Sequence, residues 1–113
     1  IQSYMNQYLF FLFLLGFILT GCSKSNIPAC ISKKITAFEK EACSQGAQVE
    51  QYLFQSKTVF VFQPGNCGAD MAAHVVDSNC ADLGFLGGIM GNTKINGEEF
   101  SQAKLIKTTW KKK

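Results

Sequence analysis

The chain has 113 residues, 47% of them hydrophobic, with a formal net charge of +3 and five cysteines. That length holds one domain and a modest core. All eleven basic residues are Lys; the absence of Arg, the preferred side chain for bidentate phosphate and base contacts, argues against nucleic-acid binding.

The first feature is an uncharged apolar run from Leu9 to Leu19, closed by Thr20-Gly21-Cys22. A bilayer-spanning helix needs roughly 20 such residues, so the run fits the core of a secretory signal rather than a membrane span. Leu19-Thr20-Gly21-Cys22 resembles a bacterial lipobox, in which the preceding residues are removed and the cysteine thiol is acylated. We therefore expect a signal peptide over 1–21, lipidation at Cys22, a polar tether over 22–26 and a single small domain over 27–113. The membrane partner is then reached through lipid such as palmitate on Cys22. No Lys or Arg precedes the run, although signal peptides usually start basic.

Cleavage before Cys22 removes 21 of the 113 residues and leaves 92. Small exported domains often reinforce their cores with disulfides. Cys30, Cys43, Cys67 and Cys80 remain, an even number that reads as two disulfides. There is no Cys-x-x-Cys spacing, so neither a zinc knuckle nor a thioredoxin-like site is indicated.

From Pro28 the pattern is helical. Ile27, Ile31, Ile35, Phe38 and Ala42 form one apolar stripe. Asn26 is the expected N-cap, Pro28 falls in the first turn, and Gly46 marks the stop. Val49 to Gln63 reads as a β-hairpin turning at Ser56-Lys57. One face of that hairpin carries Val49, Leu53, Phe60 and Phe62, and the other carries Tyr52, Phe54, Val59 and Val61. Both faces are apolar and both need cover. The helix stripe can cover one, and the first is the more purely apolar. The second is covered by the domain's own later segments or by a partner; Tyr52, Phe54, Val59 and Val61 are thus the candidate contact surface for an envelope protein partner.

Pro64-Gly65 makes a turn, Met71 to Asp77 a third strand, Ser78-Asn79 a turn and Leu83 to Leu86 a returning strand. Asn96-Gly97-Glu98-Glu99 resembles a capping box opening one or two helical turns through Ala103. Lys104 to Trp110 is a final strand packing through Leu105, Ile106 and Trp110, and Lys107 with Lys111 to Lys113 forms a solvated basic tail. The fold class is α+β: one N-terminal helix on an antiparallel sheet of four or five strands.

Local structure decides the disulfides. A helix from Pro28 to Ala42 holds Cys30 and Cys43 about 19 Å apart, beyond the roughly 7 Å between Cα atoms that a disulfide allows. Alternating chain direction brings Cys43 and Cys67 to one end and Cys30 and Cys80 to the other. The expected pairs are Cys43–Cys67 and Cys30–Cys80.

Candidate chemistry is sparse. His74 is the only histidine; on a strand Asp70 lies on its side but about 13 Å away, and we read His74 as exposed. Asp77 to Asp82 faintly resembles a calcium loop but has Ala81 at a ligand position and no closing Glu, so it reads as a turn. Gly84 to Gly91 lacks the Lys-Ser/Thr of a P-loop. The residues indicate no metal, cofactor or catalytic set.

Several stretches carry a resemblance. These are the lipobox, the cysteine-flanked helix, Tyr52-Leu53-Phe54-Gln55, Val61 to Met71, Leu83 to Gly88 and Ile95-Asn96-Gly97-Glu98. Together, from about Ile27 to Trp110, they resemble a family of short bacterial lipoproteins with a domain of unknown function. The resemblance implies no activity and no site residues. Ser56 stands where that family's hairpin turn is expected to carry glycine. The expected function is a non-enzymatic binding or structural module of the bacterial cell envelope, on the outer membrane or facing the periplasm. The alternatives are a small envelope enzyme, a thiol-redox protein or an inhibitor of envelope enzymes.

Overall fold

The computed structural model describes residues 27–113. The expected signal segment, Cys22, the tether and Asn26 lie outside the described residues.

Helix α1 spans Ala29–Glu41. Pro28 takes the N-cap place expected of Asn26, two residues later, with φ −55° and ψ 144°. Its carbonyl accepts the first helical bond, from the Ser32 N–H at 3.0 Å; proline loses nothing there, because an N-cap N–H has no helical acceptor. The helix also stops short of Gly46. Ala42 turns extended at φ −67° and ψ 150°, which delivers the Cys43 N–H to the Pro64 carbonyl at 2.9 Å.

Strands β1 (Gln48–Phe54) and β2 (Lys57–Gln63) form the hairpin, with Phe54 opposite Lys57 and Val49 opposite Phe62. The loop is Gln55-Ser56, one residue before the expected Ser56-Lys57. Both loop residues have positive φ, 51° and 61°, as a type I′ turn demands. Moving a two-residue loop by one position shifts the pairing by two residues. An even slip leaves every side chain on its expected face.

Strands β3 (Ala72–Asp77) and β4 (Asp82–Gly87) follow, then a small hairpin of β5 (Lys94–Ile95) and β6 (Glu98–Glu99). The last strand, β7 (Lys104–Lys111), returns beside β1. The main sheet is antiparallel with the order β4-β3-β2-β1-β7. The structure is thus the expected α+β arrangement of one helix on a five-stranded sheet. Asn96-Gly97 is not a helix start. It is the tight turn between β5 and β6, with φ 51° and 77°, and only one 3₁₀ turn follows, at Phe100–Gln102.

Each face of the sheet has its own core. On the helix side Ile31 packs with Val49, Phe60, Phe62 and Val76, all buried, and Phe38 meets Phe62 edge-on at 5.3 Å and Trp110 at 5.8 Å. On the other side Val75 and Ile95 are buried against the hairpin.

The candidate contact surface is therefore corrected. Phe54, Val59 and Val61 are only 3%, 2% and 1% exposed, and Tyr52 is half-buried beside them. The chain after β4 folds back to cover this face: Ile95 fills its centre, and the Phe100 ring lies 5.1 Å from both Tyr52 and Phe54. Burying such a side chain stabilises by about 1.5–3 kcal/mol, so this layer is structural. Gly84 helps it close, since a Cβ at that position would stand 3.2 Å from Ile95 Cδ1.

β7 also departs from expectation. Leu105 and Ile106 are about half exposed, and only Trp110 packs. Irregular register interrupts the β1–β7 ladder twice, so inward and outward positions do not alternate simply along this edge strand.

The cysteines pair as expected. Cys30 joins Cys80 with Cα atoms 6.1 Å apart, and Cys43 joins Cys67 at 5.5 Å. One bond ties the start of α1 to the β3–β4 turn, and the other ties its end to the segment after β2.

Candidate functional site

With both sheet faces covered, a groove of about 240 Å³ lies between α1 and the β2–β3 part of the sheet. Lys34, Ala37, Phe38 and Glu41 supply its helix wall. Their spacing of three, four and seven residues places them on one helical face. Phe62 from β2 and Ala72 and His74 from β3 supply the opposite wall. Phe62 and His74 are cross-strand partners, while Ala72 and His74, two apart on β3, share a face.

The polar groups are placed unevenly. Lys34 Nζ stands 5.3 Å from the centroid of the Phe62 ring, a cation–π distance that fixes the ammonium at the Phe62–His74 level of the groove. Glu41 lies two helical turns further along. The His74 ring is held from two sides: it stacks on Phe85 of β4 at 4.6 Å and 14°, and its Nε2 lies 2.9 Å from Asp82 Oδ1. His74 is therefore only partly exposed, with 26% of its side chain accessible. The hydrogen bond to His74, aided by the Gly84 N–H, holds the Asp82 carboxyl below its ordinary range.

Asp82, not Asp70, is the partner of His74. Asp70 sits at φ 60° in the turn before β3. The Asp82 contact requires β4 beside β3 and an irregular register near Val75 and Val76, neither of which shows in the spacing of residues.

The other stretches singled out in the sequence serve local structure. Asp77 Oδ1 accepts the N–H groups of Asn79 and Ala81 at 2.8 and 2.9 Å and shapes the β3–β4 turn. Glu98 Oε2 accepts a bond from Gln55 Nε2 at 2.9 Å and joins the two hairpin turns. A second hollow, of about 210 Å³, lies against those turns, but its amides Gln55 and Asn96 are bonded to each other. Within Gly84–Gly91, Ile89 and Met90 form an exposed turn.

Two charged groups have partners that the spacing of residues does not show. Glu50 is buried, with 9% exposure, and accepts a bond from the Tyr52 hydroxyl at 3.2 Å. Burial first, and the Glu50 carboxylate second, raise the Tyr52 pKa above its ordinary value. Lys112, expected in a solvated tail, donates through Nζ to the carbonyls of Glu39 and Ala42 at 3.0 and 2.9 Å.

Chemically, the groove offers a fixed cation, an aromatic and apolar floor, an anion at its far end and one oriented imidazole. Cys30, Cys43, Cys67 and Cys80 are all committed to disulfides. Fold and site together define a disulfide-stapled α+β domain with a small amphipathic groove beside its helix.

The chain belongs to the family described as Domain of unknown function (DUF6970), which matches residues 35–112. No curated protein and no solved structure matches it.

Proposed function

We propose that the chain is a lipid-anchored module of a bacterial cell envelope, held through an acylated Cys22 and acting by binding or structural support rather than by catalysis. On this reading its family includes short lipoproteins, and the domain faces the periplasm or is carried on the outer membrane. The observation that carries the reading is the complete pairing of the four cysteines after Cys22. Structural disulfides persist in oxidising compartments, and the segment before the domain ends in Leu19-Thr20-Gly21-Cys22. The pairing also favours a module over a thiol-redox protein, because each bond ties the helix to a separate part of the sheet.

Acyl chains bind a bilayer at about 0.8 kcal/mol per buried CH₂, so two or more chains anchor firmly. Labelling with an alkyne palmitate analogue should mark the wild-type chain. Cys22→Ser should abolish the label and move the protein from the membrane to the soluble fraction. A variant that stays in the membrane with its full N-terminal mass overturns the proposal.

A further inference from the structure

Strand β4 leads into a turn that displays the two most exposed large apolar side chains among the described residues. Ile89 and Met90 are 84% and 90% accessible. The turn is firmly built. Gly87 and Asn92 exchange backbone bonds at 2.8 and 3.1 Å, the Gly91 N–H closes onto the Gly88 carbonyl at 3.1 Å, and the Gly88 N–H reaches the Met71 carbonyl at 3.3 Å. Asn92 Nδ2 also donates to the carbonyls of Phe85 and Lys94. Ile89 and Met90 thus hold the two central positions of a braced β-turn, where Gly, Pro, Asn, Asp and Ser are the usual residues. Leu83 to Thr93 contains no charged residue, so the tip can enter an apolar phase without dehydrating an ion of its own segment. β4 is an edge strand, which leaves the tip clear of the rest of the sheet. Met71 at the base of the turn and Phe85 on β4 extend the apolar surface, at 40% and 50% exposure.

We propose that the Ile89–Met90 tip inserts shallowly into the bilayer that holds the acyl chains of Cys22, and so lays the domain along the membrane surface. The proposal rests on the lipid-anchored reading. Reach supports it. The five steps from Cys22 to Ile27 span at most about 18 Å, so the tether keeps the domain against the bilayer. The Cys30–Cys80 bond sets the root of the tether beside the start of β4, and the six residues of that strand carry the tip about 20 Å from it. Two contacts that far apart define an orientation. Tethering raises the effective concentration of the tip at the surface, so two side chains suffice although alone they would bind weakly. The acidic groups of this edge, Asp70 beside Met71 and Asp82 at the start of β4, are exposed. They remain hydrated and favour neutral headgroups over anionic ones.

The test labels the methionine methyl groups for NMR and places the full chain on phosphatidylcholine nanodiscs by two routes. One is the acylated wild type; the other is a Cys22→Ser chain held by an N-terminal polyhistidine tag on a diamagnetic zinc-chelating lipid. On both, a spin-labelled lipid should broaden the Met90 methyl signal strongly and the Met71 signal less, and a water-soluble relaxation agent should do the reverse. Ile89→Asp should keep the wild-type melting temperature, since the position is exposed, and should restore the Met90 signal, because a carboxylate is costly within lipid. A Met90 methyl as accessible to the aqueous agent on nanodiscs as in free solution overturns the proposal and assigns the tip to a protein pocket instead. A wild-type chain that carries no acyl group, while the tagged chain buries Met90, overturns the anchor reading alone. An acylated chain with Met90 in water overturns the insertion alone.

Discussion

Gln55 and Ser56 carry the tightest backbone geometry in the main sheet. Both occupy the left-handed region, at φ 51° and 61°, where a side chain with a Cβ costs roughly 1–2 kcal/mol per residue. The two residues close a register that sets Phe54 opposite Lys57 and Tyr52 opposite Val59. The family resemblance expects glycine at position 56, and the geometry explains that preference. Ser56→Gly should raise stability by about 0.5–1 kcal/mol, after allowing for the greater freedom of glycine in the unfolded chain. A urea titration should show a higher midpoint at unchanged slope. Neither Gly nor Asn marks this loop, so its position is legible in the sequence only to within one residue.

Asp82 gives a second residue-scale expectation. Its carboxyl pKa is lowered chiefly by the hydrogen bond to His74. A group with a lowered folded pKa stabilises the fold above its unfolded pKa, near 3.9, and loses that contribution as pH falls through the folded value. The Asp82 carboxyl carbon should therefore titrate by NMR below pH 3.9, and His74→Leu, which removes the donor, should bring the midpoint back toward it. An unmoved midpoint assigns the effect to the Gly84 N–H and the Lys34 charge instead.

At the scale of elements, α1 is legible in the sequence because its stripe repeats over thirteen residues. What holds its last turn is not. Lys112 reaches back 70 residues to the Ala42 carbonyl and supplies a cation at the negative end of the helix dipole. That contact exists only because β7 lies beside β1, a pairing set by the whole topology. Lys112→Met keeps most of the aliphatic stem and removes the charge. It should cost about 1 kcal/mol, less in high salt, and hydrogen exchange should quicken first at residues 39–42. Short elements were hidden for the opposite reason. β5 and β6 have two residues each, too few to show a period, so Asn96-Gly97 reads as readily as a helix start as a hairpin turn. The side-chain wall of the groove is half legible: Lys34, Phe38 and Glu41 share a visible helical spacing, whereas His74 and Asp82 meet only across strands.

For the whole molecule, the direction of successive elements was enough to pair the cysteines, because a helix that separates Cys30 from Cys43 leaves each one partner at its own end. Chain direction does not fix what covers Tyr52, Phe54, Val59 and Val61. That cover comes from Ile95 and Phe100, which lie in segments without a strong period of their own. The result is a thin two-core domain that depends on its crosslinks. The Cys30–Cys80 and Cys43–Cys67 bonds span 50 and 24 residues, and loop-closure entropy assigns them about 4 and 3.5 kcal/mol. The shorter loop lies inside the longer, so together they contribute less than the sum of those values. A domain of this size has a total stability of about 4–13 kcal/mol. Replacing either pair with serine should leave a folded chain with a lowered melting temperature, the larger drop following loss of Cys30–Cys80. Replacing both should leave the chain largely unfolded at 37 °C, seen as loss of the near-ultraviolet circular dichroism of Trp110 and Tyr52. A fourfold Ser variant that keeps that signal and melts cooperatively would place the stability of the domain in its two apolar layers instead.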